Sequence, residues 1–325
     1  MLLWLEFVLC SVLIFISSHY ISKCGQSLAR KMNWQEGFVG VLFLAAATSL
    51  PETFTGISSV AINRINLGVG DAIGSLIINM MLIGVLDYFQ GRGRILLHAK
   101  KENVLTASST AVLLAILVLF TFLRQNGLFG FYFLGIGLES FIIIGLYLWG
   151  MRTIFKKSRI FGENNSKVQG ASHVWIKFIA FFIVIVLLGL WLVNIGKRIS
   201  DVTQLNQSFI GALLLAFSTS LPELAVSTAA LRLGSIDMAI ANILGSNFFD
   251  VCIVPLMDTI YREGPLLGSI APINIFTMLL ALVMTGVVIA GLLVRQRDTR
   301  MKLTWDTGLL LVLGIAGYFV IYRFG

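Results

Sequence analysis

Charge is what this sequence has least of. Of its 325 residues only 12% are Asp, Glu, Lys or Arg, while 57% are hydrophobic and the mean hydropathy is +0.90. A soluble chain carries about a quarter charged residues, so a soluble globular fold is excluded and the chain is an integral membrane protein. Cysteine is scarce too. Cys10, Cys24 and Cys252 are odd in number and lack CxxC spacing, which indicates neither a disulfide framework nor a zinc site. The three histidines, His19, His98 and His173, fall near segment ends or in loops and are too scattered for a metal cluster. The first apolar run, from Leu2 to Ser18, lacks a positive n-region and an A-x-A site, so it reads as a span and not as a signal peptide. The formal charge of +8 is therefore read by side of the membrane before any acidic partner is invoked, and no nucleic acid is expected as a partner.

What is abundant is long apolar runs. A span needs roughly 20 mostly apolar residues, and ten candidates are present: Leu2–Ile21, Gly37–Ile62, Leu67–Tyr88, Val104–Leu123, Leu128–Gly150, Val174–Gly196, Ser208–Leu231, Met238–Met257, Ile270–Val294 and Thr304–Tyr322. Helices are the expected solution, because open backbone cannot be satisfied in lipid. The longest polar insert, Arg152 to Ser172, reads as a mobile linker. It divides the chain into a five-span half at 1–151, a cytoplasmic linker at 152–173 and a second five-span half at 174–325.

Loop charge sets an orientation. The loops after spans one, three, five, seven and nine, with Lys177 beside them, carry 18 of the 24 basic residues. By the positive-inside rule that side is cytoplasmic, and both termini face the other side.

Two stretches interrupt the apolar pattern in the same way. Ala45-Ala46-Ala47-Thr48-Ser49-Leu50-Pro51-Glu52 and Ala216-Phe217-Ser218-Thr219-Ser220-Leu221-Pro222-Glu223 share Thr-Ser-Leu-Pro-Glu at an offset of 171 residues. At that offset Gly74-Ser75 falls on Gly245-Ser246, and Asn79 falls on Asp250. With an odd number of spans per half, the two motifs enter the membrane from opposite faces and meet near the midplane, the inverted-repeat plan of secondary transporters. The fold expected is thus all-α: ten transmembrane helices in two inverted five-helix repeats, with broken helices at an ion site.

Proline lacks an N–H and clashes with the carbonyl four residues back. Pro51 and Pro222 are therefore expected to break their helices, freeing the carbonyls of Ala47 and Ser218 and loosening those from Ala45 to Thr48 and from Ala216 to Thr219. Beside them stand the hydroxyls of Thr48, Ser49, Thr219 and Ser220 and the carboxylates of Glu52 and Glu223. Ser75 and Asn79, and likewise Ser246 and Asp250, are four apart and share a helical face. Such oxygens suit a hard cation, Na⁺, Ca²⁺ or Mg²⁺. The three carboxylates would repel one another, and these four spans hold no Lys or Arg to offset them. Glu139, within span five and without a repeat partner, reads as a locally hydrogen-bonded or protonated acid, with a proton pathway as the alternative. Asp71 and Asp237 read as acids that open spans three and eight, suited to a helix N-terminus.

At these residues the chain resembles the cation/Ca²⁺ exchanger superfamily, and most closely its prokaryotic Na⁺/Ca²⁺ exchanger-like members. The resemblance covers nearly the whole chain, with alpha-repeats at 40–80 and 211–251. It implies Glu52 and Glu223, with the Thr48 and Thr219 carbonyls, for Ca²⁺. It implies Ala45, Ser49, Ser75, Ala216, Ser220 and Ser246 for Na⁺, with Asn79 and Asp250 around the centre. Departures are Ala47 and Ser218 where Gly is usual, Leu76 where Asn is usual, and Asp71 where Asn is common. The expected activity is secondary antiport of Ca²⁺ against Na⁺ by alternating access, with spans one and six sliding past the rest, in a multi-pass plasma or inner membrane protein. H⁺ or K⁺ as counter-ion, or a cation channel, are the rivals. An intramembrane enzyme is disfavoured because no nucleophile–base pair is visible. No cofactor is expected, Ca²⁺ and Na⁺ being cargo.

Overall fold

A computed structural model describes residues 2–31, 45–91, 95–159, 172–294 and 303–325. Backbone that must satisfy itself in lipid forms helices, and these are α1 (Leu2–Lys31), α2 (Ala45–Thr48), α3 (Leu50–Ala61), α4 (Ile65–Gln90), α5 (Lys101–Gln125), α6 (Leu138–Arg159) and α7 (Ser172–Thr203) in the first part of the chain. The rest holds α8 (Gln207–Phe209), a π-helical turn at Ile210–Leu215, α9 (Ala216–Thr219), α10 (Leu221–Arg232), α11 (Ile236–Asp250), α12 (Ile253–Ile260), α13 (Ile273–Leu293) and α14 (Trp305–Phe324). Among the described residues seven helical stretches are long and apolar enough to cross a membrane. There are eight if Gln207–Thr219 and Leu221–Arg232, bent by 40° at their junction, form one span.

Two expectations need correction. The run Leu128–Gly150 does not start as helix: Tyr132–Phe133 and Ile136–Gly137 form a small antiparallel hairpin, and α6 begins at Leu138. Leu134 and Gly135 both have positive φ, 53° and 84°, as a tight two-residue hairpin turn requires. Apolar content concealed the turn. The expected linker is also shorter than drawn, because α6 continues to Arg159 and α7 starts at Ser172; its remainder, 160–171, lies outside the described residues. So do Gly37–Leu44 of the second run.

The centre of the molecule is built on α4 and α11–α12. Each carries apolar side chains all round, as a helix enclosed on every side must, and 89% of each membrane-length window is buried. By contrast α1 and α14 are only 28% buried over theirs, leaving broad apolar faces for lipid. Glycine lets backbones meet at the centre. A Cβ on Gly74 would lie 2.4 Å from the Ala212 Cα, and one on Gly211 would lie 2.3 Å from the Leu67 carbonyl oxygen. The π-helical turn is thus pressed directly on α4. A second, smaller core joins α1 to α7 through Cys10, Ile14, Leu188, Leu192, Ile195 and Ile199.

Four buried or half-buried acceptors tie the first part of the chain to the second, in two matching pairs. Asp87 Oδ1 accepts the amide of Ile95 at 2.9 Å, and Asp258, 171 residues on, accepts that of Leu266 at 2.7 Å. The other oxygen of Asp87 takes the Thr304 amide and the Thr307 hydroxyl at the start of α14. The other oxygen of Asp258 takes the Gly137 amide and the Ser140 hydroxyl at the start of α6. At the opposite helix ends, Asn66 accepts from the Ala271 amide and Asn274 Nδ2, while Asp237 accepts from the Lys100 amide and Asn103 Nδ2. Each acceptor fixes the beginning of a helix whose orphan N–H groups need partners.

Candidate functional site

Both Thr-Ser-Leu-Pro-Glu motifs fold alike. The helix stops at Ser49 (φ −83°, ψ 10°) and at Ser220 (φ −84°, ψ 0°), and a new helix starts one residue on with the proline in its first turn. Proline is tolerated there, where its missing N–H is one of the orphans anyway. The break is narrower than expected. Ser49 N–H still reaches the Ala45 carbonyl at 2.9 Å, and Ser220 N–H that of Ala216 at 2.9 Å. These amide bonds keep both carbonyls occupied, so they are not loosened; the Thr48 and Thr219 hydroxyls lie close to them, at 3.1 and 3.3 Å. Glu52 and Glu223 occupy the first turns of α3 and α10, where the helix macrodipole favours a negative charge.

These motifs converge on the two central helices. Thr48 Oγ1 lies 3.2 Å from Ser246 Oγ, which donates to Glu223 Oε1 at 3.1 Å, so one hydroxyl of the first motif is chained to the carboxylate of the second. Asn79 Nδ2 donates to Asn247 Oδ1 at 2.9 Å, and Asn247 Nδ2 donates to the Leu76 carbonyl at 3.3 Å. Ser75 Oγ is taken up by the Asp71 carbonyl, and Tyr318 of α14 donates to the carbonyl of Gly74. Glu52, Glu223, Asp250, Asn79, Thr48, Thr219, Ser49, Ser220, Ser75, Ser246, Ala45 and Ala216 are all buried.

Asp71 is placed differently from its expected role. It lies a full turn inside α4, is wholly buried, and accepts Thr219 Oγ1 at 2.9 Å across the motif. It is not a helix-opening acid. Asp237 does sit in the first turn of α11. Glu139 is locally hydrogen-bonded as expected, in a buried ion pair with Arg124 of α5, but it heads α6 and lies away from the middle of its span. Residues that sequence reasoning passed over include Asn247, which orients Asn79, and Tyr318. The signal for Asn247 was present, since it is the polar member of the Leu76/Asn247 pair.

Several of these oxygens have no hydrogen-bond partner although no solvent reaches them: both of Glu52, both of Asp250, Glu223 Oε2, Asp71 Oδ2, Asn79 Oδ1, Ser49 Oγ and Ser220 Oγ. Leaving one buried polar group unmet costs about 1–3 kcal/mol, more if it is charged, so a collection of them is a demand for a ligand. The four carboxyl groups lie within electrostatic reach of one another. Among the described residues no three His, Cys, Asp or Glu side chains converge tightly enough to hold a metal alone. A cation bound here would therefore draw on hydroxyl, amide and carbonyl oxygens as well, a set suited to hard cations.

The fold and the buried oxygen cluster define a polytopic α-helical membrane protein with a polar centre. The chain belongs to the sodium/calcium exchanger protein family, within the cation/Ca²⁺ exchanger superfamily: the family model matches residues 2–150 and 173–324. It is 28% identical to an uncharacterised membrane protein of Methanocaldococcus jannaschii over 254 residues, covering 75% of this chain and 77% of that one. It is 27% identical to a putative antiporter, CaxA, of Alkalimonas amylolytica, covering 85% of this chain and 86% of that one. Its fold is similar to that of the sodium-calcium exchanger NCX_Mj, with a TM-score of 0.63 at 23% identity and coverage of 97% of both chains.

Proposed function

We propose that this protein is a secondary antiporter that exchanges Ca²⁺ for Na⁺ by alternating access, through ten spans arranged as two inverted five-helix repeats with both termini on the non-cytoplasmic side. The carrying observation is the set of partnerless buried oxygens contributed by both Thr-Ser-Leu-Pro-Glu motifs. In this reading Glu52 and Glu223, with the Thr48 and Thr219 carbonyls, receive Ca²⁺. Ala45, Ser49, Ser75, Ala216, Ser220 and Ser246 serve Na⁺, and Asn79 and Asp250 complete the centre. The matching braces at Asp87/Asp258 and Asn66/Asp237 support a two-fold plan, since each ties one half to the other at the same offset.

Exchange follows from electrostatics. A bare cluster of carboxylates in a low-dielectric interior is unfavourable, so the structure resists rearranging while the site is empty. Ca²⁺ and Na⁺ compete for shared oxygens, and loading one set displaces the other. The moving part is α1 with α7, joined by a small core that borders Leu67 of α4 and Ile210 and Leu215 of the π-helical turn. They meet the motifs where Ser11 Oγ lies 2.8 Å from Ser218 Oγ, where Gly189 faces Phe54 and Thr55 without a side chain between, and where Ile185 packs with Ala47. The test is ⁴⁵Ca²⁺ uptake into proteoliposomes under imposed Na⁺, K⁺ or H⁺ gradients. Uptake driven by outward Na⁺ supports the reading. Uptake driven by H⁺ alone replaces it with Ca²⁺/H⁺ antiport, for which four carboxylates in one cluster are the specific motive.

A further inference from the structure

Asp71 and Asn242 occupy equivalent places in the two halves, 171 residues apart, but face different ways. Asn242 bonds back within its own half, donating Nδ2 to Ser227 Oγ of α10 at 3.1 Å. The residue matching Ser227 in the first half is Gly56, which offers no hydroxyl. Asp71 instead reaches across to the second motif, taking Thr219 Oγ1 on Oδ1 and leaving Oδ2 buried and without a partner. The carboxylate is exchanged for an amide at the other matched pair, Asn79 and Asp250. Each half thus supplies two carboxylates, one at the matched glutamate and one at an unmatched position, and the centre carries four in place of the three counted from the motifs.

We propose that Asp71 is a direct ligand for a monovalent alkali cation seated between α4 and the Thr219–Glu223 segment, so that the second motif's cation site binds more tightly than its counterpart at the first motif. Ser220 Oγ and Glu223 Oε2, on that same segment, are also buried and partnerless, and Ser75 stands one turn along α4 on the face of Asp71. Glu223 is shared with the Ca²⁺ reading, so Asp71 adds one carboxylate beyond the Glu52/Glu223 pair, and one added charge is met by one singly charged ion. At the mirror position Asn242 donates to Ser227 and keeps a buried, partnerless Oδ1, but it adds no charge. This inference rests on the antiporter reading.

The test is thermal unfolding of the detergent-purified full chain against NaCl, KCl or CaCl₂, with choline chloride holding ionic strength constant. A cation that binds only the folded form raises the unfolding temperature by mass action. Asp71→Asn keeps the shape and an acceptor for Thr219 and removes only the charge. Loss of a charged ligand should raise the half-effective concentration of Na⁺, or of K⁺ if that is the occupant, by about tenfold or more, and lower the Hill coefficient. The half-effective Ca²⁺ concentration should rise by less than about threefold, because Glu52 and Glu223 remain. Asp71→Ser provides the same comparison if the Asn variant does not fold. Unchanged Na⁺ and K⁺ dependence overturns the proposal, and so does a Ca²⁺ shift as large as the monovalent one. Wild-type protein stabilised by Ca²⁺ but by neither monovalent ion overturns this proposal alone; stabilisation by none of the three removes the cation site altogether.

Discussion

Asn79 and Asn247 lie on opposite central helices and are joined side chain to side chain, Nδ2 to Oδ1 at 2.9 Å. Asn247 is itself anchored on the Leu76 carbonyl. Those two bonds use up the donors that face this side and point Asn79 Oδ1 away from them, without a partner. One substitution separates positioning from ligation. Asn247→Leu, which copies the residue at the matching place in the first half, should leave the protein folded but free the Asn79 amide to turn. The expected loss is about 1–2 kcal/mol of cation binding, a five- to thirtyfold weaker apparent affinity. Ca²⁺ titration of exchange in proteoliposomes measures it; unaltered affinity would remove Asn247 from the site.

Glu52 and Glu223 head the two half-helices with partnerless oxygens. Glu52→Gln or Glu223→Gln keeps the shape and removes a charge the cation needs. Exchange should fall to background in each variant while expression and gel-filtration profile stay normal. Transport at the wild-type rate in either one would refute the assignment.

The braces differ from surface ion pairs in magnitude. Asp87 is buried and answers the Ile95 and Thr304 amides with two hydroxyls besides. Asp87→Ala strands those donors and should cost about 3 kcal/mol or more. Asp258→Ala should cost a similar amount through Leu266, Gly137 and Ser140. The exposed pair of Asp201 with Arg64 is the control, and Asp201→Ala should cost under about 1 kcal/mol. Thermal unfolding in one detergent compares all three. Equal losses would mean that the braces carry no special load.

Gly74 is one of the close approaches between α4 and the π-helical turn, with no room for a Cβ beside the Ala212 backbone. Gly74→Ala should therefore cost roughly 1–3 kcal/mol or more from overpacking, and should weaken cation binding because Ser75 moves with the backbone. Gly286, whose Cβ would meet nothing within 4 Å, provides the comparison on α13. Its replacement by Ala should be neutral or slightly stabilising, as a Gly-to-Ala change within a helix is by about 0.5–1 kcal/mol.

The duplicated motif was legible because chemistry that is costly in lipid stands out against apolar runs. A proline and an acid inside such a run, repeated at a fixed offset, need no structure to be noticed. Asp71 shows the converse. Hydropathy places a helix end only to within a few residues, and that margin decides whether this acid opens its helix or lies inside it. Starting α4 at Ile65 moves the acid from the helix entrance into the centre. For Glu139 the local hydrogen-bonded role agrees with the Arg124 pair, but its place in the span differs, because the hairpin at Tyr132–Gly137 is hidden in an apolar run and sets the helix start later than expected.

By itself the sequence determined the membrane class, the two broken helices and the oxygen-rich residues that gather at them, since composition, proline stereochemistry and periodicity are local. Tertiary structure decided which oxygens are already occupied, that Asn247 aims Asn79, and that Asp71 faces the second motif. Those outcomes depend on which helices pack together and how closely, and only the assembled glycine-lined contact between α4 and the π-helical turn fixes that. For the Thr-Ser-Leu-Pro-Glu pair this separates two questions: where the helices break is written in each motif, and which partnerless oxygens face one another is set by the helices packed around them.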